Sequence, residues 1–182
     1  MSLTLESRIL IWIGSALLTA AAMEPWSRIV HSRVWHRKLW NVHLSHHVVP
    51  RSGFEWNDLL AMSHAPLSAF LIVYGCEAAP SVHREIALGI GAGMALFGLL
   101  YLTFHDGVCH DRFPVQFLRR WNWVERIRKA HLTHHHTDGP PYGLFLGSRE
   151  LQRFKDSGLT LSAEGRRPEV VSREKSRASK KT

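Results

Sequence analysis

Ten of the thirteen histidines in this chain fall into four groups whose spacing suits metal chemistry. "HSRVWH" supplies His31 and His36, and "HLSHH" supplies His43, His46 and His47. "HDGVCH" supplies His105 and His110, and "HLTHH" supplies His131, His134 and His135. The order is HxxxxH, HxxHH, HxxxxH, HxxHH, a two-part unit written twice. A lone histidine is ordinarily a satisfied core or surface residue. Ten imidazoles merely packed together would depress one another's pKa and cost stability. A metal removes that conflict, because neutral imidazole is a good ligand for iron, zinc, copper and nickel. Ten nitrogens exceed the needs of one ion, whereas two ions with about five each would use them all.

Spacing says how these side chains are aimed. On a helix, residues i, i+3 and i+4 share a face, so HxxHH directs three imidazoles one way. Five residues advance an α-helix by about 500°, so the two histidines of HxxxxH point well apart on such a helix. That pair fits a place where a helix ends and the backbone bends, or two approaches to one site from different directions.

The elements that must position these groups are apolar. Leu59 to Cys76 and Ile86 to Phe104 carry no Asp, Glu, Lys or Arg, and neither does Ile9 to Met23, which lengthens through Trp26, Ile29 and Val30. A membrane-spanning helix needs ~20 mostly apolar residues, so three spans are expected. The first stretch has the small residues "TAAAM" of a signal-peptide cleavage site, but Glu6 and Arg8 precede it and Arg28, Arg33, Arg37 and Lys38 follow it. We therefore expect a retained span with its N-terminus outside. Two spans separate the first pair of histidine groups from the second, so all four groups return to one membrane face. Arg28, Arg33, Arg37, Lys38 and Arg51 flank the first pair; Arg112, Arg119, Arg120, Arg126, Arg128 and Lys129 flank the second. The loop between the spans has only Arg84. Positive residues mark the cytoplasmic side. The expected fold is all-α: an integral-membrane helical bundle with a cytoplasmic, histidine-rich helical cap.

The formal charge is +8, and residues 149–182 supply +5 of it. The expected division is residues 1–151 as the membrane domain and 152–182 as a basic disordered tail. Anionic lipid heads are a better partner for such a tail than nucleic acid. With two cysteines, Cys76 and Cys109, and no CxxC, neither a zinc ribbon nor a disulfide framework is indicated.

The combination of boxes, together with "GFEWNDLLA", "IGAGMALFGLLYLTFHDGVCHDRFP" and "RIRKAHLTHH", resembles the bacterial-type, non-haem β-carotene hydroxylases within the fatty-acid hydroxylase and sterol desaturase superfamily. The resemblance covers roughly residues 25–147. It implies two irons held by the ten box histidines, O2 as oxidant, and hydroxylation of a β-ionone ring at C3, from β-carotene through cryptoxanthin to zeaxanthin. A related hydroxylase or desaturase acting on a fatty acyl chain or sterol shares the same boxes. A two-zinc hydrolase would include carboxylate ligands, and a non-catalytic metal transporter would place its ligands within the spans.

Around the boxes, imidazole ligands donate their second N–H to a carboxylate or carbonyl. Asp58, Asp106 and Asp111 are the first candidates, with Glu55 and Asn57 behind them; Asp106 and Asp111 touch the third box. His64 beside Pro66 reads as a hydrogen-bonded helix residue, His83 as a loop residue, and His136 as a spare ligand or an exposed side chain. "GIGAGMALFG" is not GxGxxG, so Gly89 and Gly93 are read as a GxxxG packing face. No flavin or nicotinamide motif is present, so an oxygenase of this kind needs electrons from a partner such as a ferredoxin-like donor, steered by the basic face.

Overall fold

The computed structural model describes residues 3–48 and 53–157. Seven α-helices follow in order: α1 (Leu5–Val30), α2 (Trp40–Val48), α3 (Trp56–Ala61), α4 (Ala65–Glu77), α5 (Val82–Tyr101), α6 (Asn122–Thr137) and α7 (Gly147–Asp156). There is no strand among the described residues. Three helical stretches are long and apolar enough to cross a membrane: Leu5–Trp35, Trp56–Glu77 and Val82–Cys109. The bundle is thus an all-α, integral-membrane one, and its exposed Leu10, Leu17, Leu18, Phe70, Val73 and Leu99 suit a lipid surround.

The spans stay together through small residues, as membrane helices must when lipid is as apolar as the side chains. Helix α5 is central. Gly89 and Gly93 face α1, where an added Cβ would meet the Trp12 and Ala16 carbonyls and the side chains of Ser15 and Thr19. Gly91 faces α4, against Ser68 O and Ile72, and Ser68 Oγ donates to Gly91 O at 2.8 Å. The GxxxG reading of Gly89 and Gly93 is correct, and Gly91 adds the opposite face. At the far end Glu85, fully buried, accepts from Arg8 Nε at 2.9 Å and from Trp12 Nε1, tying α5 to α1.

Two spans end in the same unusual way. After Val30 the chain continues as a π-helix over His31–Trp35, and after Tyr101 as a π-helix over Leu102–Cys109. The second span is broken instead: a 3-10 turn at Met62–His64 precedes Pro66, which lacks the N–H an unbroken helix would need. Helices α2, α6 and α7 form the cap, joined by α3, the short first segment of the broken second span.

The expected boundary at residue 151 falls inside α7, which carries on through Asp156. Most of the expected basic tail, residues 158–182, lies outside the described residues.

Candidate metal centre

Each π-helix replaces the i→i+4 bond with i→i+5, so residues five apart come much nearer to one face than on an α-helix. His36 N donates to His31 O at 3.0 Å, and His110 N donates to His105 O at 3.1 Å. The ring centroids of His31 and His36 are 4.9 Å apart, and those of His105 and His110 are 4.7 Å apart. Divergence of the HxxxxH pair holds only on an α-helix; here both members serve one site.

The HxxHH boxes behave differently from the single shared aim expected of them. Residues i and i+4 differ by about 40° around a helix, whereas i+3 and i+4 differ by about 100°. Each box therefore divides. One cluster gathers His31, His36, His43 and His134; the other gathers His46, His105, His110 and His131, and within each, one ring nitrogen from every histidine lies within 4.8 Å of the others. His47 Nε2 stands 3.3 Å from His43 Nε2, and His135 Nε2 stands 2.9 Å from His131 Nε2. The first cluster takes the i, i+4 pair of α2 and the i+3 residue of α6. The second takes the i, i+4 pair of α6 and the i+3 residue of α2.

The far nitrogens settle the tautomers. His31 Nδ1 is 2.9 Å from Tyr142 O, and His134 Nδ1 is 2.6 Å from Gly139 O. A carbonyl only accepts, so both imidazoles donate through Nδ1–H and carry a bare lone pair on Nε2. The same holds for His43, 2.7 Å from Asn57 Oδ1; for His46, 3.0 Å from Glu55 Oε2; and for His105, 2.6 Å from Asp106 Oδ1. Yet His31 Nε2 and His43 Nε2 are 3.0 Å apart, and His46 Nε2 and His105 Nε2 are 3.1 Å apart. Two lone pairs cannot hydrogen-bond to each other. A cation between them resolves the conflict, and a purely nitrogen donor set suits a transition metal rather than calcium or magnesium.

Electrostatics point the same way. Burial, with neighbouring imidazoles, holds His36 and His47 at about 2, and burial holds His43 and His134 at about 4, against the opposing pull of Asn57 and the Gly139 carbonyl. His46, His131 and His135 are driven well below the usual imidazole range by burial first and by facing histidines second. Burial pushes the Glu55 carboxyl up, while the Arg112 guanidinium opposes it. These seven histidines are neutral across the physiological range.

Among the sequence candidates, Asp106, Glu55 and Asn57 meet histidines. Asp58 and Asp111 do not. Asp58 accepts from Arg112 at 2.7 and 2.8 Å and from Glu55 N at 3.0 Å, so it braces the Glu55 turn. Asp111 turns the chain with φ 59° and takes Arg119, which also donates to the carbonyl of Val108. The carbonyls of Gly139 and Tyr142 were not legible as partners, because a backbone acceptor carries no residue signature. Their segment is pinned from two sides. Glu150 accepts from Tyr142 N and Gly143 N, each at 3.2 Å, and from Arg28 Nε at 3.0 Å; Glu24 accepts from Leu146 N at 2.8 Å. His64 stays outside both clusters and accepts from Trp26 Nε1 at 2.8 Å, and His136 is exposed with Nδ1 facing Leu132 O.

A cavity reaches both clusters from the side of the spans. His31, His105 and His131 meet Ser27, Trp35, Tyr101, Tyr142 and Leu144 around it. Tyr101 stacks on His105 with centroids 4.5 Å apart, and Tyr142 lies edge-on to His36 at 5.2 Å.

No family model matches the chain, and no solved structure matches it. Named relatives do. The chain is 38% identical over 153 residues to "Beta-carotene 3-hydroxylase 2, chloroplastic" of Arabidopsis thaliana, covering 81% of this chain and 50% of that one. It is 42% identical over 137 residues to "Beta-carotene 3-hydroxylase 1, chloroplastic" of the same plant, covering 73% and 43%. The chain thus spans about half the length of these plant relatives. Against "Beta-carotene hydroxylase" of Pantoea ananas it is 38% identical over 133 residues, covering 71% of this chain and 73% of the relative. With matching coverage of both chains at that identity, the chain belongs to the β-carotene hydroxylase family.

Proposed function

We propose that this protein is a membrane di-iron monooxygenase that hydroxylates the β-ionone ring of β-carotene at C3, towards zeaxanthin. The observation that carries the reading is a pair of four-histidine clusters, with His47 beside the first and His135 beside the second; the names of the relatives supply the substrate. In this reading His31, His36, His43, His47 and His134 hold one iron, and His46, His105, His110, His131 and His135 hold the other. Two irons held there would supply monooxygenase chemistry, in which O2, two external electrons and two protons give the hydroxylated ring and one water.

The chain's own residues do the rest. Tyr142 O, Gly139 O, Asn57, Glu55 and Asp106 hold five imidazoles in the tautomer that presents Nε2. Ser27 and Tyr101 belong to the spans, so the cavity lies on the span side of the clusters, the side from which a membrane-dissolved carotenoid would approach. Trp35, Tyr101, Tyr142 and Leu144 give the cavity walls an aromatic and apolar character beside the histidines, as expected where a hydrocarbon ring approaches. The site faces the cytoplasm and the N-terminus lies outside, as the arginine and lysine distribution favours. The same basic face receives a ferredoxin-like donor.

Expression in a β-carotene-producing bacterium tests the proposal. Cryptoxanthin and zeaxanthin should accumulate. Unchanged β-carotene, with iron-loaded protein present in the membrane and a reductant supplied, would overturn the substrate assignment.

A further inference from the structure

The two histidine clusters differ in what stands behind them. In the first, the far nitrogens meet neutral acceptors: Tyr142 O behind His31, Asn57 Oδ1 behind His43 and Gly139 O behind His134. In the second, two meet carboxylates: Glu55 behind His46 and Asp106 behind His105. A carboxylate partner makes an imidazole a stronger donor than a carbonyl does, and a cation on the Nε2 side favours the ionised carboxylate.

Neighbouring charges do not erase the difference. Arg112 reaches Asp58 at 2.7 Å and Asp106 at 3.4 Å, which sets one guanidinium against three carboxylates on that side. On the first side, Asp138 Oδ1 comes within 2.8 Å of His47 Nδ1, but its geometry is not that of a hydrogen bond and its side chain is 39% exposed, so water screens it. The other nearby acids there are engaged elsewhere: Glu150 with Arg28 and the Tyr142 and Gly143 amides, and Glu24 with the Leu146 amide.

We propose that the two irons are held unequally: the cluster of His46, His105, His110 and His131 retains its iron, and the cluster of His31, His36, His43 and His134 releases its iron first. This rests on the two-iron reading above. Outer partners of metal-bound histidines change metal affinity by about 10–100-fold, so release should resolve into two phases of equal size whose rates differ by about that factor.

The test uses the full chain in detergent, loaded with iron-57, under a colorimetric ferrous chelator without oxygen. Release is followed by colour, and the remaining iron by Mössbauer spectroscopy. The expected result is one iron lost quickly and a single doublet left behind. Asn57→Asp should slow the fast phase alone. Asp106→Asn or Glu55→Gln should speed the slow phase alone. One uniform phase from a chain that binds two irons overturns the proposal and leaves the two-iron site standing. So does a variant that moves the other phase. A chain that cannot be loaded beyond one iron overturns the two-iron reading and this proposal with it. The wild-type phases decide the matter even where a variant fails to fold.

Discussion

The rings of His47 and His135 stack with centroids 4.3 Å apart and planes 20° from parallel. One comes from α2 and the other from α6, and together they form the seam between the two clusters. His47 leans on His43 of the first, and His135 on His131 of the second. His135 also lies within 4.7 Å, centroid to centroid, of His46 and His110.

Replacing His135 with Ala should therefore lower iron content and cut hydroxylation at least about tenfold, the loss expected when a ligand or its close support is removed. The neighbouring His136→Ala should leave both intact, because His136 is exposed and bonds only to its own helix. Iron analysis with product chromatography compares the two. Equal losses would show that proximity in sequence, not position in the cluster, governs the effect.

Glu150 lies outside the clusters but holds the segment whose carbonyls orient His31 and His134. Glu150→Ala removes acceptors from Tyr142 N, Gly143 N and Arg28. Hydrogen bonds to a charged group contribute about 1.5–3 kcal/mol each, discounted here because Arg28 is half exposed. Thermal unfolding in detergent should fall clearly, and iron should be lost from the chain more readily. Glu150→Gln should recover part of the stability, since an amide oxygen still accepts from the backbone. An alanine variant with wild-type melting and iron retention would dismiss the role.

Packing of the spans makes a paired prediction. Gly93→Leu must drive α1 from α5, because even a Cβ would meet Ala16 O and Thr19 there. Gly98 has nothing within 4 Å of its would-be Cβ, so Gly98→Ala should be neutral or stabilising by about 0.5–1 kcal/mol. Yield of folded protein and its melting midpoint in detergent read both.

The metal-free chain should weaken in acid. His43 and His134 sit at about 4 when folded, against an ordinary 6.5. Between those values the unfolded chain takes up protons that the folded chain refuses. Stability contributed by these groups is thus complete above about 6.5 and is lost as pH falls towards 4, the folded-to-unfolded ratio dropping about tenfold per pH unit for each histidine. Melting of apo protein from pH 7.5 to 5 checks the direction; a midpoint that rises on acidification contradicts it.

Orientation is testable through the free cysteines. Cys76 is exposed near the end of α4 and Cys109 is buried beside the clusters. A membrane-impermeant thiol reagent on intact cells should label Cys76 and not Cys109. Absence of Cys76 labelling in intact cells, with labelling after lysis, would reverse the proposed orientation.

Much of this protein is written locally. Uncharged runs near Leu59–Cys76 and Ile86–Phe104 point to spans because a small soluble domain rarely buries two such runs, and Gly89 with Gly93 points to a packing face because small residues let backbones approach. Ten histidines in a repeated order suit a metal, since imidazoles packed together without one depress one another's pKa and cost stability. Which histidine joins which cluster was not legible. A count of residues cannot say that the spans end in π-helices, where His31 and His36 align rather than diverge. Nor can it say that α2 and α6 each share their histidines between two sites, since that follows from how two helices cross. The partners behind the imidazoles divide likewise. Asp106 is adjacent to His105 in sequence and could be named in advance, whereas Tyr142 O and Gly139 O are backbone atoms brought near His31 and His134 only when Glu150 and Glu24 fasten their loop against α1. Residue type decides what chemistry is available, but the direction of a lone pair is a property of the folded backbone.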